Sequence, residues 1–158
     1  MAKSFMMRDI LSPKAVCANL DASTKKDILT ATAKSVAELI GKDAHKVFDV
    51  LWERERLGTT GVGHGIAIPH GRLEGINQVY GFFTRLARPV AFEAIDERPV
   101  DLIFLLLAPA DAGADHLHAL ATVSRLMRDP ALCEQLRAAK DEAAIYRLLT
   151  ETPTAQAA

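Results

Sequence analysis

The chain has 158 residues, 49% hydrophobic and 25% charged, with a net charge of −1. That suits one domain spanning 1–158 with its core at about 11–150, and it excludes the bulk basic character selected by nucleic acid or a membrane surface. The two cysteines, Cys17 and Cys133, have no metal-type spacing. No apolar run approaches the ~20 residues of a membrane span, and no signal-length apolar segment follows Met1, so the expectation is a cytoplasmic protein with reduced thiols.

Residues 1 to 12 read as an extended arm, and Ala15 to Leu20 as a short edge strand. The cluster Asp21-Ala22-Ser23-Thr24 opens a helix, with Asp27 placed to complete an approximate capping box. Ile28, Leu29, Val36, Leu39 and Ile40 fall on one face of it, and Gly41 stops it. Asp43 caps a second helix whose Val47, Phe48, Leu51 and Trp52 form an apolar stripe. The polar tail Glu53-Arg54-Glu55-Arg56 completes that helix, and Gly58 ends it.

A Gly-rich loop follows. Ile66-Ala67-Ile68 reads as a short strand, then Gln78 to Ala87 as a strand with Tyr80, Phe82 and Leu86 on one face. Val90-Ala91-Phe92 is a further short strand, closed by a turn at Asp96-Glu97-Arg98-Pro99. Asp101 to Leu107 is almost wholly apolar and too short for a typical helix, which predicts a central strand buried on both faces. Asp115 or a residue just before it caps a third helix, to about Arg128. Asp129-Pro130 opens a fourth helix. Asp141 begins a fifth, carrying Ile145, Leu148 and Leu149, and the chain frays from Pro153. The order αα, strands, ααα gives an α/β sandwich with a mixed sheet of about four to five strands covered by helices.

The chemistry concentrates between Gly58 and Arg72. This stretch holds five of the nine glycines and two of the five histidines. Repeated glycines allow backbone N–H groups to approach and cradle an anion. Pro69 fixes its own φ and biases Ile68 to an extended conformation. His70 is thus delivered at the end of a rigid strand, beside small Gly71 and cationic Arg72. An imidazole next to a glycine cradle and a guanidinium points to a nucleophilic nitrogen meeting phosphate. A ring nitrogen attacks only when neutral, and an ordinary imidazole is largely neutral at pH 7.

The run Gly58 to Arg72 resembles the active-site signature of the enzyme IIA domains of the mannitol/fructose superfamily of the bacterial phosphotransferase system, the nitrogen-regulatory type above all. Pro89 to Asp96 with Pro99 to Leu102, and Pro109-Ala110-Asp111 leading into His116 to Leu120, match in the same order. The resemblance implies that His70 accepts a phosphoryl group on Nε2 from a small histidine-containing phosphocarrier protein. It implies the enzyme IIA fold, and a function in regulating partner proteins by phosphorylation state. No cofactor or metal is implied. His116 matches the family's second active-site histidine and Arg54 a basic position of the nitrogen type. Arg72 departs from relatives that carry lysine there; the charge stays, with forked contacts lysine lacks.

His116 and His118 lie two residues apart on a helix, about 200° around its axis, so they cannot share one site. His116 is preferred because the helix N-terminus favours an anion. The same divergence makes the pair a poor zinc site. Thr59 and Thr60 can offer hydroxyls, and Gly61, Gly63 and Gly71 amides, to phosphate. Arg54 is equally a solvated helix charge. His64 and His45 read as loop and helix-surface residues, Glu97 and Asp101 as turn and strand-end residues. Val62, Leu73 and Ile76 are candidate apolar contacts for a docking partner. Two alternatives stand beside this reading: a sugar-specific enzyme IIA passing phosphate to a transporter IIB domain, and a regulatory binding module without phosphotransfer.

Overall fold

The computed structural model describes residues 6–151. The expected fraying from Pro153 and the first five residues of the expected arm lie outside them. The rest of that arm is not extended. Met7–Ile10 form a single helical turn, α1, in which Asp9 accepts the Met6 N–H at 3.1 Å. Met7, Ile10 and Leu11 are buried there, so apolar anchoring holds the segment in a turn.

β1 (Val16–Leu20) is the expected edge strand. α2 (Lys25–Ile40) starts where Thr24 Oγ1 accepts the Asp27 N–H at 3.0 Å, and ends at Gly41, whose φ of 71° is the left-handed stop. Its inward face carries Ile28, Leu29, Ala33, Val36 and Ala37. Leu39 is exposed, contrary to the expected stripe, because the buried face is centred on Leu29, Ala33 and Val36 and Leu39 lies at its margin in the last turn. α3 (Ala44–Leu57) is capped by Asp43, which accepts the His45 N–H at 2.9 Å. Val47 and Leu51 are buried, and Phe48 stacks on Trp52 at 5.7 Å beside them.

Six strands, not four or five, form the mixed sheet in the order β1-β5-β6-β3-β2, with β4 also pairing β6. The extra strands come from the Gly-rich stretch. β2 (Gly61–Gly63) pairs antiparallel with β3 (Ile66–Ala67), and β4 (His70–Leu73) follows Pro69. β3 and β4 both run parallel to β6 (Val100–Pro109), Ile66 opposite Leu102 and His70 opposite Leu106, at one unchanged offset. Pro69 therefore interrupts one long edge without shifting its register; its carbonyl accepts the Leu106 N–H at 2.9 Å. His70 opens a strand where it was expected to close one.

β5 (Tyr80–Val90) is one strand of 11 residues, antiparallel to β6. The separate strand expected at Val90 to Phe92 does not form. Val90 is the tail of β5, paired with Val100 after a register shift. Every residue of β6 from Leu102 to Ala108 is buried. Since strand side chains alternate, the central strand is covered on both faces, as its composition predicts. α4 (Ala114–Met127) packs on β6 and α6 (Glu142–Glu151) on β1; α5 (Pro130–Ala138) joins them. Asp129 caps α5 through Ala131 and Leu132 N–H, and Asp141 accepts the Ala144 N–H. α4 instead starts at Gly113 with no side-chain cap; Asp115 lies in its first turn. Cys17 and Cys133 form no disulfide.

Candidate active site around His70

The β3–Pro69–β4 edge, α3 and the start of α4 converge on an open cleft of about 610 Å³. Its walls include Arg54, His70, Gly71, Arg72 and His116, together with Asp49 and Glu53 of α3. His70 Nδ1 lies 2.8 Å from the Ile68 carbonyl. A carbonyl can only accept, so Nδ1 carries the proton and Nε2 holds the lone pair. The backbone of a proline-stiffened edge thus fixes both the ring and its tautomer.

The His116 ring centroid is 5.7 Å from that of His70, with the rings tilted by 45°. His116 is buried in the first turn of α4, where the helix dipole favours an anion. Burial pushes both imidazoles below the ordinary range. For His70 the Ile68 hydrogen bond opposes this, Arg54 reinforces it and Glu55 opposes it. For His116 the proximity of His70 and Arg72 adds to burial. The apo site therefore favours two neutral rings. A phosphoryl dianion would reverse that preference for His116.

At Gly71 the strand edge meets Val50 of α3. A Cβ there would collide with Val50 Cγ1, so its need for glycine is steric. Arg54 extends a guanidinium N–H to the Gly58 carbonyl at 2.9 Å, tying the end of α3 to the loop while its side chain lines the cleft. Of the apolar docking candidates, Val62 is exposed, Ile76 half-buried and Leu73 buried under the sheet edge. Leu57, 81% exposed, stands at the cleft, and Leu117, 63% exposed, follows His116.

The other residues expected at phosphate lie elsewhere. Thr59 Oγ1 donates to the Phe92 carbonyl and accepts the Gly61 N–H. Gly61 packs on Ala94, and Gly63 on Asp96. Thr60 is buried, its N–H donated to Glu55 Oε2 at 2.9 Å and its hydroxyl to Glu55 Oε1. These four build the loop and do not line the cleft. His118 is half-buried and also does not line it. Asp101 makes a forked ion pair with Arg137 at 2.8 and 2.9 Å, and Arg137 also donates to the His64 carbonyl. Neither Asp101 nor Glu97 reaches the His70 cleft. No group of three potential metal ligands occurs among the described residues.

Sequence reasoning passed over Glu55, placing it in a polar tail. Its side chain is 2% exposed and pairs with Lys25 Nζ at 2.7 Å. The signal was there: Val47, Leu51 and Glu55 recur every four residues, so Glu55 shares their inward face.

The model of the family described as "Phosphoenolpyruvate-dependent sugar phosphotransferase system, EIIA 2" matches residues 9–152. A nitrogen regulatory protein of Bradyrhizobium diazoefficiens is 49% identical over 149 residues, covering 94% of this chain and 97% of that protein. The crystal structure of nitrogen regulatory protein IIA-Ntr from Neisseria meningitidis superposes with a TM-score of 0.85 at 33% identity, covering 90% of this chain and 97% of the other. Mannitol enzyme IIA of Escherichia coli, solved in complex with phosphorylated mannitol enzyme IIB, gives 0.74 at 18% identity over 88% of this chain and 96% of that one, which shows a shared fold. No helix among the described residues is long and apolar enough to cross a membrane.

Proposed function

Since the chain belongs to the EIIA 2 family of the phosphotransferase system, with nitrogen regulatory relatives along almost its whole length, we propose that it is a single-domain phosphoryl carrier that receives phosphate on His70 Nε2. The observation that carries this reading is the 2.8 Å contact between His70 Nδ1 and the Ile68 carbonyl. It leaves Nε2 as the nucleophile in a cleft with two guanidiniums and a second histidine.

The donor is the phosphohistidine of a small phosphocarrier protein. The His70 Nε2 lone pair forms a bond to phosphorus while the donor's P–N bond breaks, its electron pair returning to the donor imidazole. Positive charge that develops on the His70 ring is shared with the Ile68 carbonyl through Nδ1–H. Arg54, Arg72 and the first turn of α4 offset the charge of the transferring group by position and dipole. His116 hydrogen-bonds that group and gains from protonation once it is in place. No nucleotide, metal or small-molecule substrate enters the step.

The phosphorylated and unphosphorylated forms then differ by about −1.5 to −2 charge at a site held by two strands and two helices. Partner proteins would read that charge, and the backbone need not change. Reconstitution with the general phosphotransferase enzyme, its phosphocarrier and phosphoenolpyruvate tests the reading. The wild type should take up one acid-labile phosphate and His70→Ala none. A folded His70→Ala protein that still takes up label would refute it.

A further inference from the structure

A second cavity, of about 1010 Å³, opens between the β2–β3 hairpin and helices α4 and α5, and shares no residue with the His70 cleft. Its floor includes Ile66, Ile68, Met127 and Cys133, all buried. The Cys133 thiol donates to the Met127 carbonyl, and burial pushes its pKa up, so it is an apolar wall and not a nucleophile. The Asp101–Arg137 fork occupies one wall and is charge-neutral. Three charges remain among the lining residues: the exposed guanidiniums of Arg98 and Arg128, and the Glu134 carboxylate. Neither Arg98 nor Arg128 makes an ion pair among the described residues.

A recess of this size, mostly apolar with a few converging polar groups, has the character of a small-molecule site. Two guanidiniums and one carboxylate line the recess, with the Asp96 carboxylate beside Arg98 just outside it, so the guanidiniums are what a ligand's acidic group would meet. We propose that this cavity binds a small organic anion with an apolar body, its acidic head held by Arg98 and Arg128, and that the occupant bears on His70. The connection is short. Ile68 lines the cavity with its side chain buried, and its carbonyl orients His70 Nδ1 two residues further along the same strand edge. A ligand packed on Ile66 and Ile68 pushes on the segment that sets the His70 ring. Binding is independent of the phosphoryl-carrier reading; only the meaning of the coupling rests on it.

The probe is 8-anilinonaphthalene-1-sulfonate, an apolar aromatic body with a sulfonate, titrated into the full chain and followed by amide and imidazole nitrogen shifts. Saturable 1:1 binding is expected, with amide shifts grouped at residues 62–68, 98–101 and 124–137 and a shift of the His70 ring nitrogens. Reversing both exposed charges, Arg98→Glu with Arg128→Glu, should weaken Kd by about tenfold or more, as lost charge-assisted contacts do. Filling the recess with Ser124→Phe should abolish binding while the amides of residues 70–73 keep their positions. Absence of saturable binding, shifts centred on Leu57, His70 and Leu117, or an unchanged Kd in the charge-reversed protein would each overturn the site. Binding with a silent His70 ring would overturn the coupling. No phosphate is transferred in this experiment, so its failure is separable from failure of the carrier reading.

Discussion

Glu55→Ala probes the least obvious part of the site's scaffold. Glu55 accepts the Thr60 N–H and hydroxyl and pairs with Lys25, all behind the loop that leads to His70. Side-chain exposures of 2% for Glu55 and 13% for Lys25 place the pair in the buried regime. There, removing one partner costs about 3–5 kcal/mol, and each buried donor left unsatisfied about 1–3 kcal/mol. Lys25 keeps Glu93 at 3.2 Å and lies 5.0 Å from the centre of the Phe92 ring, which puts its share at the low end. With two Thr60 donors left unsatisfied, the expected total is about 5 kcal/mol for alanine. Glu55→Gln retains one acceptor and should lose about half of that. With a urea slope of about 2 kcal/mol/M, the alanine variant's midpoint should fall by roughly 2.5 M. Urea unfolding followed by circular dichroism reads this directly. A loss below about 1 kcal/mol would mean that Thr60 and Lys25 find replacement partners, and that Glu55 does not hold the loop.

Three further outcomes follow from the geometry. His116→Ala should slow phosphate uptake by about a hundredfold, the scale of losing one donor to a transferring group, and His118→Ala only mildly; single-turnover transfer giving the reverse ranking would misassign the second histidine. Gly71→Ala should cost about 1–3 kcal/mol through overpacking against Val50, measurable by thermal unfolding, and an unperturbed stability would mean that α3 yields freely. Folded His70 and His116 sit below the ordinary imidazole value of about 6.5 that the unfolded chain retains. As pH falls through 6.5 the unfolded chain therefore binds protons first, and stability should drop until the folded-state values are passed, while staying level above neutrality. His70→Gln should remove part of that acid limb in denaturation curves taken across pH, and a limb unchanged in the variant would contradict the assignment.

Much of this was legible because local signals agreed. Thr24, Asp43, Asp129 and Asp141 cap helices where the sequence places them, since a short polar side chain before an apolar period has few other uses. The apolar run in β6 could only be a covered strand. The place of His70 on a stiffened strand edge was legible through Pro69 and its glycine neighbour. What escaped depended on tertiary contact. Thr59 and Thr60 look like phosphate ligands in the sequence, yet Phe92 and Glu55 claim their hydroxyls. Gly61 and Gly63 look like an anion cradle, yet they form a strand packed on the segment around Asp96. Leu73 reads as a surface contact until the pairing of β4 with β6 buries it. The cleft also draws Asp49 and Glu53 from α3, two carboxylates that no loop motif announces.

The central claim concerns one nitrogen atom. Nitrogen-15 and phosphorus-31 spectra of the phosphorylated protein, with histidine ring nitrogens labelled, identify which atom carries the phosphoryl group. Phosphorus coupled to His70 Nε2, with Nδ1 still protonated and bonded to the Ile68 carbonyl, is the predicted result. Phosphorus on His70 Nδ1, or on His116, would contradict it.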